Sequence, residues 1–373
     1  MAGRLKGKKI LFIAPHRPER SPSQRFRFEQ YLDFFNEKGF KFKFSFLISP
    51  TDDKFFYSKG KELRKFLLFV KYFFRRCYDV LRSVRYDIVF IQREAYFIGP
   101  PFFEWLLKKF GAKIIFDFDD SIWLQNVSDA NKKYQWLKSF SKTSKIISYA
   151  SMVFAGNQYL SDYAANYTDR KKIRIVPTTI NTTEYFPSNL KNENGLIRIG
   201  WSGSFTTIKH FKFAEKFLTR LSEKYPDKMS IIVIGDKNYK NDQLPVSAYD
   251  WKKEDELRMF SYFDIGIMPL PDDEWARGKC GLKGLQYMAI GIPTIMSPVG
   301  VNTEIIQDGV NGFLAEAEDE WTEKISLLIE SPELRKKIGA NGRQTVEERY
   351  SFNAWKDKYV SYFEELITDK DHS

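Results

Sequence analysis

Residues 264–312 read DIGIMPLPDDEWARGKCGLKGLQYMAIGIPTIMSPVGVNTEIIQDGVNG, and the order of apolar runs, glycines and cations in them decides the fold. Residues 265–268 are a short apolar run stopped by Pro269, the mark of a buried strand. A loop with Arg277 and Lys279 leads to Gly281, where a helical stretch opens and runs to Ile290; residues 294–297 form the next strand. A helix N-terminus presents backbone amides without intrahelical acceptors and a partial positive charge. With two cations just before it and Gly281 allowing close approach, Gly281-Leu282 is a candidate diphosphate seat. The competing reading is an ordinary strand-to-helix connection with solvated charges. Lys283 falls in the first turn, where the dipole disfavours a cation unless an anion lies nearby.

The same alternation runs outward in both directions. Toward the N-terminus, strands are expected at residues 9–14, 41–48, 87–92, 113–117, 152–155 and 172–177. Helices are expected at 24–38, 59–84, 101–110, 130–149 and 158–165, the first stopped by Gly39. The second half restarts with a strand at 197–201, a helix at 209–223, a strand at 229–235 and a helix at 253–262; three helices finish the chain, the last at 352–367. Such alternation implies parallel sheet with helices on both faces. A polar break at 186–195 reads as a linker, giving domains at 1–187 and 196–351 and a terminal helix at 352–373 that returns to the first domain. Two doubly wound halves imply a cleft between the carboxyl ends of their strands.

The bulk numbers narrow the partners. The chain has 373 residues and a net charge of +11, enough length for two domains at roughly 150 residues each. The positive field favours anionic partners: nucleic acid, acidic lipid or phosphorylated small molecules. No recognised nucleic-acid reader motif accompanies the basic residues, so nucleic acid is not expected. Two cysteines, Cys77 and Cys280, cannot build a disulfide framework. No stretch approaches the ~18 apolar residues of a membrane span, so the chain is expected to be cytoplasmic or attached to a membrane from one side.

Gly281-Leu282, then Gln286-Tyr287-Met288-Ala289, Gly291 and Pro293, followed by Ser297 to Asn302, Glu304 and Asp308 to Gly312, resemble the donor-site signature of retaining GT-B glycosyltransferases of family 4. Val176-Pro177, Asn181 and Gly235-Asp236 also match, so the resemblance spans the chain. It implies two Rossmann-like domains facing across a cleft, and metal-independent transfer of a sugar from a nucleoside diphosphate sugar to a hydroxyl with retention. No cofactor is implied beyond the donor. A glycan or lipid-linked acceptor, in cell-envelope polysaccharide or lipopolysaccharide synthesis, is the expected partner.

The chain departs from that family at two glutamates separated by seven residues: Gly278 and Gln286 stand in their places. Gln286 retains an amide oxygen for the donor ribose; Gly278 retains nothing for the sugar. Family members also place an arginine and a lysine after the first strand of the second half. Lys209 matches the lysine, but Trp201 occupies the arginine position, leaving Arg277 or Lys279 to supply the charge. Gly203 and Ser204 are expected to donate to a phosphate oxygen, and His210 to lie at the surface. Lys209, Arg277 and Lys279 are thus the expected stabilisers of the leaving diphosphate.

In the first half, Asp117, Asp119 and Asp120 crowd the end of a strand, an expensive arrangement unless water, a cation or a substrate faces them. Asp119 takes the place of a histidine that related enzymes hold near the reacting sugar, and Asp120 is expected at the acceptor. Asp117 and Asp119 would share one strand face, a competing metal reading that the resemblance disfavours. His16, Arg25 and Arg27 are expected to meet the acceptor; His16 also occupies the loop where inverting GT-B enzymes keep their base. Residues 59–85 form a basic, aromatic helix suited to an anionic membrane surface, or else to packing its Phe and Leu face inward. Two rivals stay open: a non-catalytic GT-B scaffold, and a nucleotide-sugar epimerase or hydrolase.

Overall fold

The computed structural model describes residues 5–58, 60–124, 141–187, 195–204 and 207–368. The chain divides into two compact units, Met1–Thr178 with Trp355–Ser373, and Thr179–Ala354. Residues 188–194 of the stretch read as linker, residues 130–140 of the expected helix, residue 59, and Phe205 and Thr206 of the turn after residue 204 lie outside the described residues.

The first unit holds a six-stranded sheet of β1 (Lys9–His16), β2 (Lys41–Ile48), β3 (Ile88–Gln92), β4 (Ile114–Phe118), β5 (Met152–Ala155) and β6 (Ile173–Ile175). Their order is β2-β1-β3-β4-β5-β6, and all neighbours are parallel. Residues Ile10–Ala14, Ile88–Gln92 and Ile114–Phe118 are buried throughout, because a parallel strand covered by helices on both faces must be apolar on both. The terminal helix Phe352–Thr368 belongs to this unit from Trp355 onward. Its Tyr359 and Phe363 are buried, with Tyr359 4.5 Å from Tyr31 and Phe363 5.1 Å from Phe35 between ring centroids.

The second unit holds β7 (Ile197–Ser202), β8 (Met229–Ile234), β9 (Val246–Tyr249), β10 (Ile265–Met268), β11 (Thr294–Met296) and β12 (Phe313–Leu314). The order is β12-β11-β10-β7-β8-β9, again parallel throughout. The helix Leu282–Ala289 lies close on this sheet because two positions lack a Cβ. A side chain at Gly284 would overlap Met296, and one at Gly266 would reach Tyr287 Cδ2 at 2.5 Å. The Tyr287 hydroxyl in turn accepts from the Ser202 amide at 2.7 Å, pinning the helix to the end of β7.

Several elements escaped the periodicity, among them the short helix Glu274–Arg277 in what reads as a loop. The helix Pro50–Phe56 starts with a capping box between Ser49 and Asp52, inside a stretch with few apolar residues. β9 alternates half-buried and exposed residues, and β12 is two residues long. The helix expected at 24–38 is instead Pro22–Arg27, a 3-10 turn at Glu29–Tyr31 and Leu32–Glu37.

Candidate functional site

In each sheet the strand order reverses once, between β1 and β3 and between β7 and β10. Such switch points leave a crevice at the carboxyl ends of the strands, where doubly wound folds bind ligands. In the second unit that end carries Trp201 to Ser204 and the segment from Pro269 to Gly281.

A cluster of cations gathers there. Lys283 sets its ammonium 4.4 Å above the buried Trp201 ring, and Lys279 lies 5.6 Å above Trp275. His210, on the short helix Ile208–Phe211, is buried. Burial and then the charges of Lys279, Lys283 and Lys209 push its pKa down to about 3, so its expected surface position is corrected: His210 is an interior neutral imidazole. Burial and Lys279 push Lys283 down to about 7. Every charge acting on these two groups is positive, which marks a place that an anion would stabilise.

The helix Leu282–Ala289 opens at this cluster. Its N-cap Gly281 has φ +67 and makes no side-chain cap, so the first-turn amides have no acceptor within the helix. Gly281→Ala is expected to be harmful twice over. An L residue is strained at that φ, and its methyl would overlap Ile305 Cδ1. A loss of about 1–3 kcal/mol in urea unfolding is the expected result, with nucleotide binding weakened in parallel.

Several expected donors are already committed. The Gly203 amide donates to the Ile234 carbonyl at 2.8 Å, and the Ser204 amide to Thr207 Oγ1 at 2.8 Å. The glycine is needed because a Cβ there would run into the Trp201 ring. Gly203 and Ser204 therefore shape the turn rather than cradle a phosphate through their amides. Arg277 is held by Asp272 in a two-pronged pair at 2.7 and 3.0 Å on the exposed side of its helix. Of the two cations weighed for the missing arginine, it is Lys279 that acts on His210, joined by Lys283 over the very tryptophan that replaces the arginine.

Gln286 is buried, and its amide nitrogen donates to Glu256 Oε1 at 3.1 Å and to the Tyr185 hydroxyl at 3.2 Å. Glu256 also accepts from the Trp251 indole at 2.7 Å and from the Tyr185 hydroxyl. These partners fix the amide so that its oxygen points away from the carboxylate. The carboxylate absent at position 286 is present nearby, on Glu256, a residue that no sequence signal singled out.

The first unit's switch point carries His16 at the end of β1, Arg93 after β3, and Asp119 and Asp120 after β4. Arg93, at φ +62, spans the two aspartates at 2.9 and 2.7 Å. Burial, which would raise Asp119, is outweighed by Arg93, Arg27 and a hydrogen bond from Ser23, and its pKa falls. The crowded carboxylates are thus matched by arginines of their own unit. His16 is pushed down to about 4, by burial first and then by Arg20. An imidazole so shifted is neutral at pH 7.

Arg25 and Arg27 are corrected. Both are buried: Arg25 stacks 4.9 Å over Phe26, and Arg27 donates to Asp117 at 3.1 Å through Nε and also to the Val176 carbonyl. The helix Pro22–Arg27 buries its last four residues, so these cations serve the interior instead of an acceptor.

Residues 181–345 match the family described as glycosyl transferases group 1. Over 116 residues, 30% of this chain and 30% of its relative, the chain is 31% identical to spore coat protein SA of Bacillus subtilis. The curated relatives are matched over less than a third of their own length. The fold is similar to that of a glycosyltransferase from Rickettsia africae, with TM-score 0.68 at 16% identity over 98% of this chain and 100% of that one. It is also similar to Anabaena HepE in complex with UDP and glucose, with TM-score 0.61 at 13% identity over 96% and 100%. The chain thus has the two-unit GT-B fold, and nearly the whole of its second unit matches the glycosyl transferases group 1 family.

Proposed function

We propose that the protein is a glycosyltransferase that moves a sugar from a nucleoside diphosphate sugar to a hydroxyl of a glycan or lipid-linked acceptor, with retention and without a metal. The observation that carries this reading is the convergence of Lys209, Lys279 and Lys283 on buried His210 and Trp201, at the open N-terminus of the helix Leu282–Ala289. The barrier lies in departure of the diphosphate from a developing oxocarbenium ion. Lys209, Lys279 and Lys283, the last taking up its proton as the anion arrives, act with the helix dipole to stabilise the negative charge that grows on the leaving oxygen. Gln286, its amide oriented by Glu256, offers Oε1 to the donor ribose. We assign receipt of the acceptor hydroxyl to Asp119, Asp120 and His16 of the first unit, where Arg93 lowers the pKa of Asp119. On the strength of the family resemblance, we assign the protein to the building of cell-envelope polysaccharide.

The test is a thermal-shift series with UDP, GDP, ADP, dTDP and CMP on the wild type and Lys209→Ala. A diphosphate at about 100 times its Kd adds ~2.7 kcal/mol to the folded state. The expected result is a clear shift with one diphosphate, lost in the variant. If no nucleotide shifts the melting temperature, the absence of the two glutamates becomes decisive and the chain is a scaffold.

A further inference from the structure

The 22-residue helix Glu62–Ser83 is built inside out. Its buried face is polar: Lys65, Tyr72, Arg76, Asp79 and Ser83 face inward along with Val80. Arg76 donates to Asp79 at 2.7 Å, to Ser45 Oγ at 3.0 Å and to the Ala14 carbonyl at 3.0 Å. Arg82 completes the network on Asp79 at 2.6 Å. The helix is therefore anchored to its unit through charge and hydrogen bonds, together with the packing of Leu68, Phe69 and Tyr72 against Leu47 and Ile48.

Its outward face is apolar. Leu63, Phe66 and Phe74 are 74%, 63% and 66% exposed, and Leu67, Val70 and Leu81 are exposed with them. At 3.6 residues per turn these side chains, with exposed Phe73 and Tyr78, fall within one sector of about 140°, and the helix runs ~33 Å. No charged residue of the helix lies in that sector. Cations border one edge: Arg64 and Arg75, with Lys71 and Arg82 beside them in ion pairs to Asp52 and Asp79. Arg64 lies 4.7 Å over Phe55, and Arg75 5.0 Å over Phe46. Ring contacts carry the aromatic surface onto the next helix, Phe102–Lys109, through Phe73 and Phe103 at 5.2 Å. There Phe102 and Trp105 are exposed as well. The two readings of this helix divide its surface: Leu68, Phe69 and Tyr72 pack inward against Leu47 and Ile48, while the other Phe and Leu side chains stay exposed.

We propose that this face docks on an anionic lipid bilayer, lying in the interface with its aromatic strip among the acyl chains. The occupant follows from the charges. A continuous apolar strip edged by arginine and lysine is complementary to a hydrocarbon surface bordered by anionic headgroups. A second copy of the chain would bring the same strip, and a cationic edge with it, against this one. Among the described residues no helix is long and apolar enough to cross a membrane, so attachment is from one side.

The test is co-sedimentation of the intact protein with vesicles of phosphatidylcholine alone and of phosphatidylcholine mixed with phosphatidylglycerol. Wild type and Phe66→Ser/Phe74→Ser are compared, alongside light scattering of the free protein. Both substituted side chains are exposed, so circular dichroism and melting temperature are expected to stay at wild-type values. The expected result is binding to anionic vesicles that salt weakens and the double variant reduces at least about tenfold. Arg64→Glu is expected to weaken anionic binding by a smaller factor. Failure to sediment with anionic vesicles, or sedimentation that the double variant retains, overturns the proposal. A dimer that the double variant dissociates also overturns it, in favour of a second copy. Nucleotide shifts are expected to be the same in all these variants, so loss of membrane binding is distinguishable from loss of the donor site.

Discussion

Lys283→Met is expected to weaken nucleoside diphosphate binding by about tenfold to a hundredfold, while making the unliganded protein more stable at neutral pH. The first effect follows from losing one charge-assisted contact to a phosphate, worth about 1.5–3 kcal/mol. The second follows from the position of the lysine. Burial and Lys279 hold its pKa near 7, against ~10.4 for an unfolded lysine. Between those values the unfolded chain binds more protons than the folded one, so stability rises with pH across that window. Below about pH 7 the penalty is fully present. Methionine keeps the contact with Trp201 and removes the charge, so the slope in melting temperature between pH 7 and pH 10 is expected to flatten. Calorimetry supplies a second check, since a bound diphosphate restores the ammonium form and draws a proton from the buffer at pH 8. A variant that binds nucleotide as tightly as the wild type, with the same pH slope, would remove Lys283 from the seat.

Arg27→Met is expected to destabilise the protein by about 3–5 kcal/mol, the cost of leaving a buried partner uncompensated. Arg27 and Asp117 are both 0% exposed in their side chains, with the guanidinium also bonded to the Val176 carbonyl. Burial already raises the pKa of Asp117 in spite of Arg27. Without the arginine its carboxyl is driven further toward the protonated form. A group whose pKa is raised by folding stabilises at low pH and loses that contribution as pH rises, so the deficit is expected to be larger at pH 8 than at pH 5. Urea unfolding at the two pH values measures it, and adding Asp117→Asn is expected to recover part of the loss. Wild-type stability with a raised KM for the acceptor would return Arg27 to the substrate.

These two residues mark where reading from sequence succeeds and where it stops. Lys283 was legible because a cation in the first turn of a helix conflicts with the dipole, and that conflict is local. Arg27 instead closes the short helix Pro22–Arg27, and its anion is an aspartate 90 residues along the chain. Spacing says that a counter-charge is needed but not whether the protein or the ligand supplies it. Arg277 shows the same ambiguity at short range: Asp272, five residues before it, takes the charge that was reserved for a diphosphate.

The sequence by itself determined the two parallel sheets and the glycine-opened helix at residue 281. Strands buried on both faces must be runs of apolar residues, and helices between them must repeat near 3.6, so both leave marks that no distant contact can erase. Only the tertiary structure decided which charged groups face inward. The helix Glu62–Ser83 has apolar and basic sides in any environment. Much of its apolar side faces out because Asp79, Ser45 and the Ala14 carbonyl, brought together by the sheet, give Arg76 partners that outweigh the cost of burying it, while Leu68, Phe69 and Tyr72 turn inward beside it.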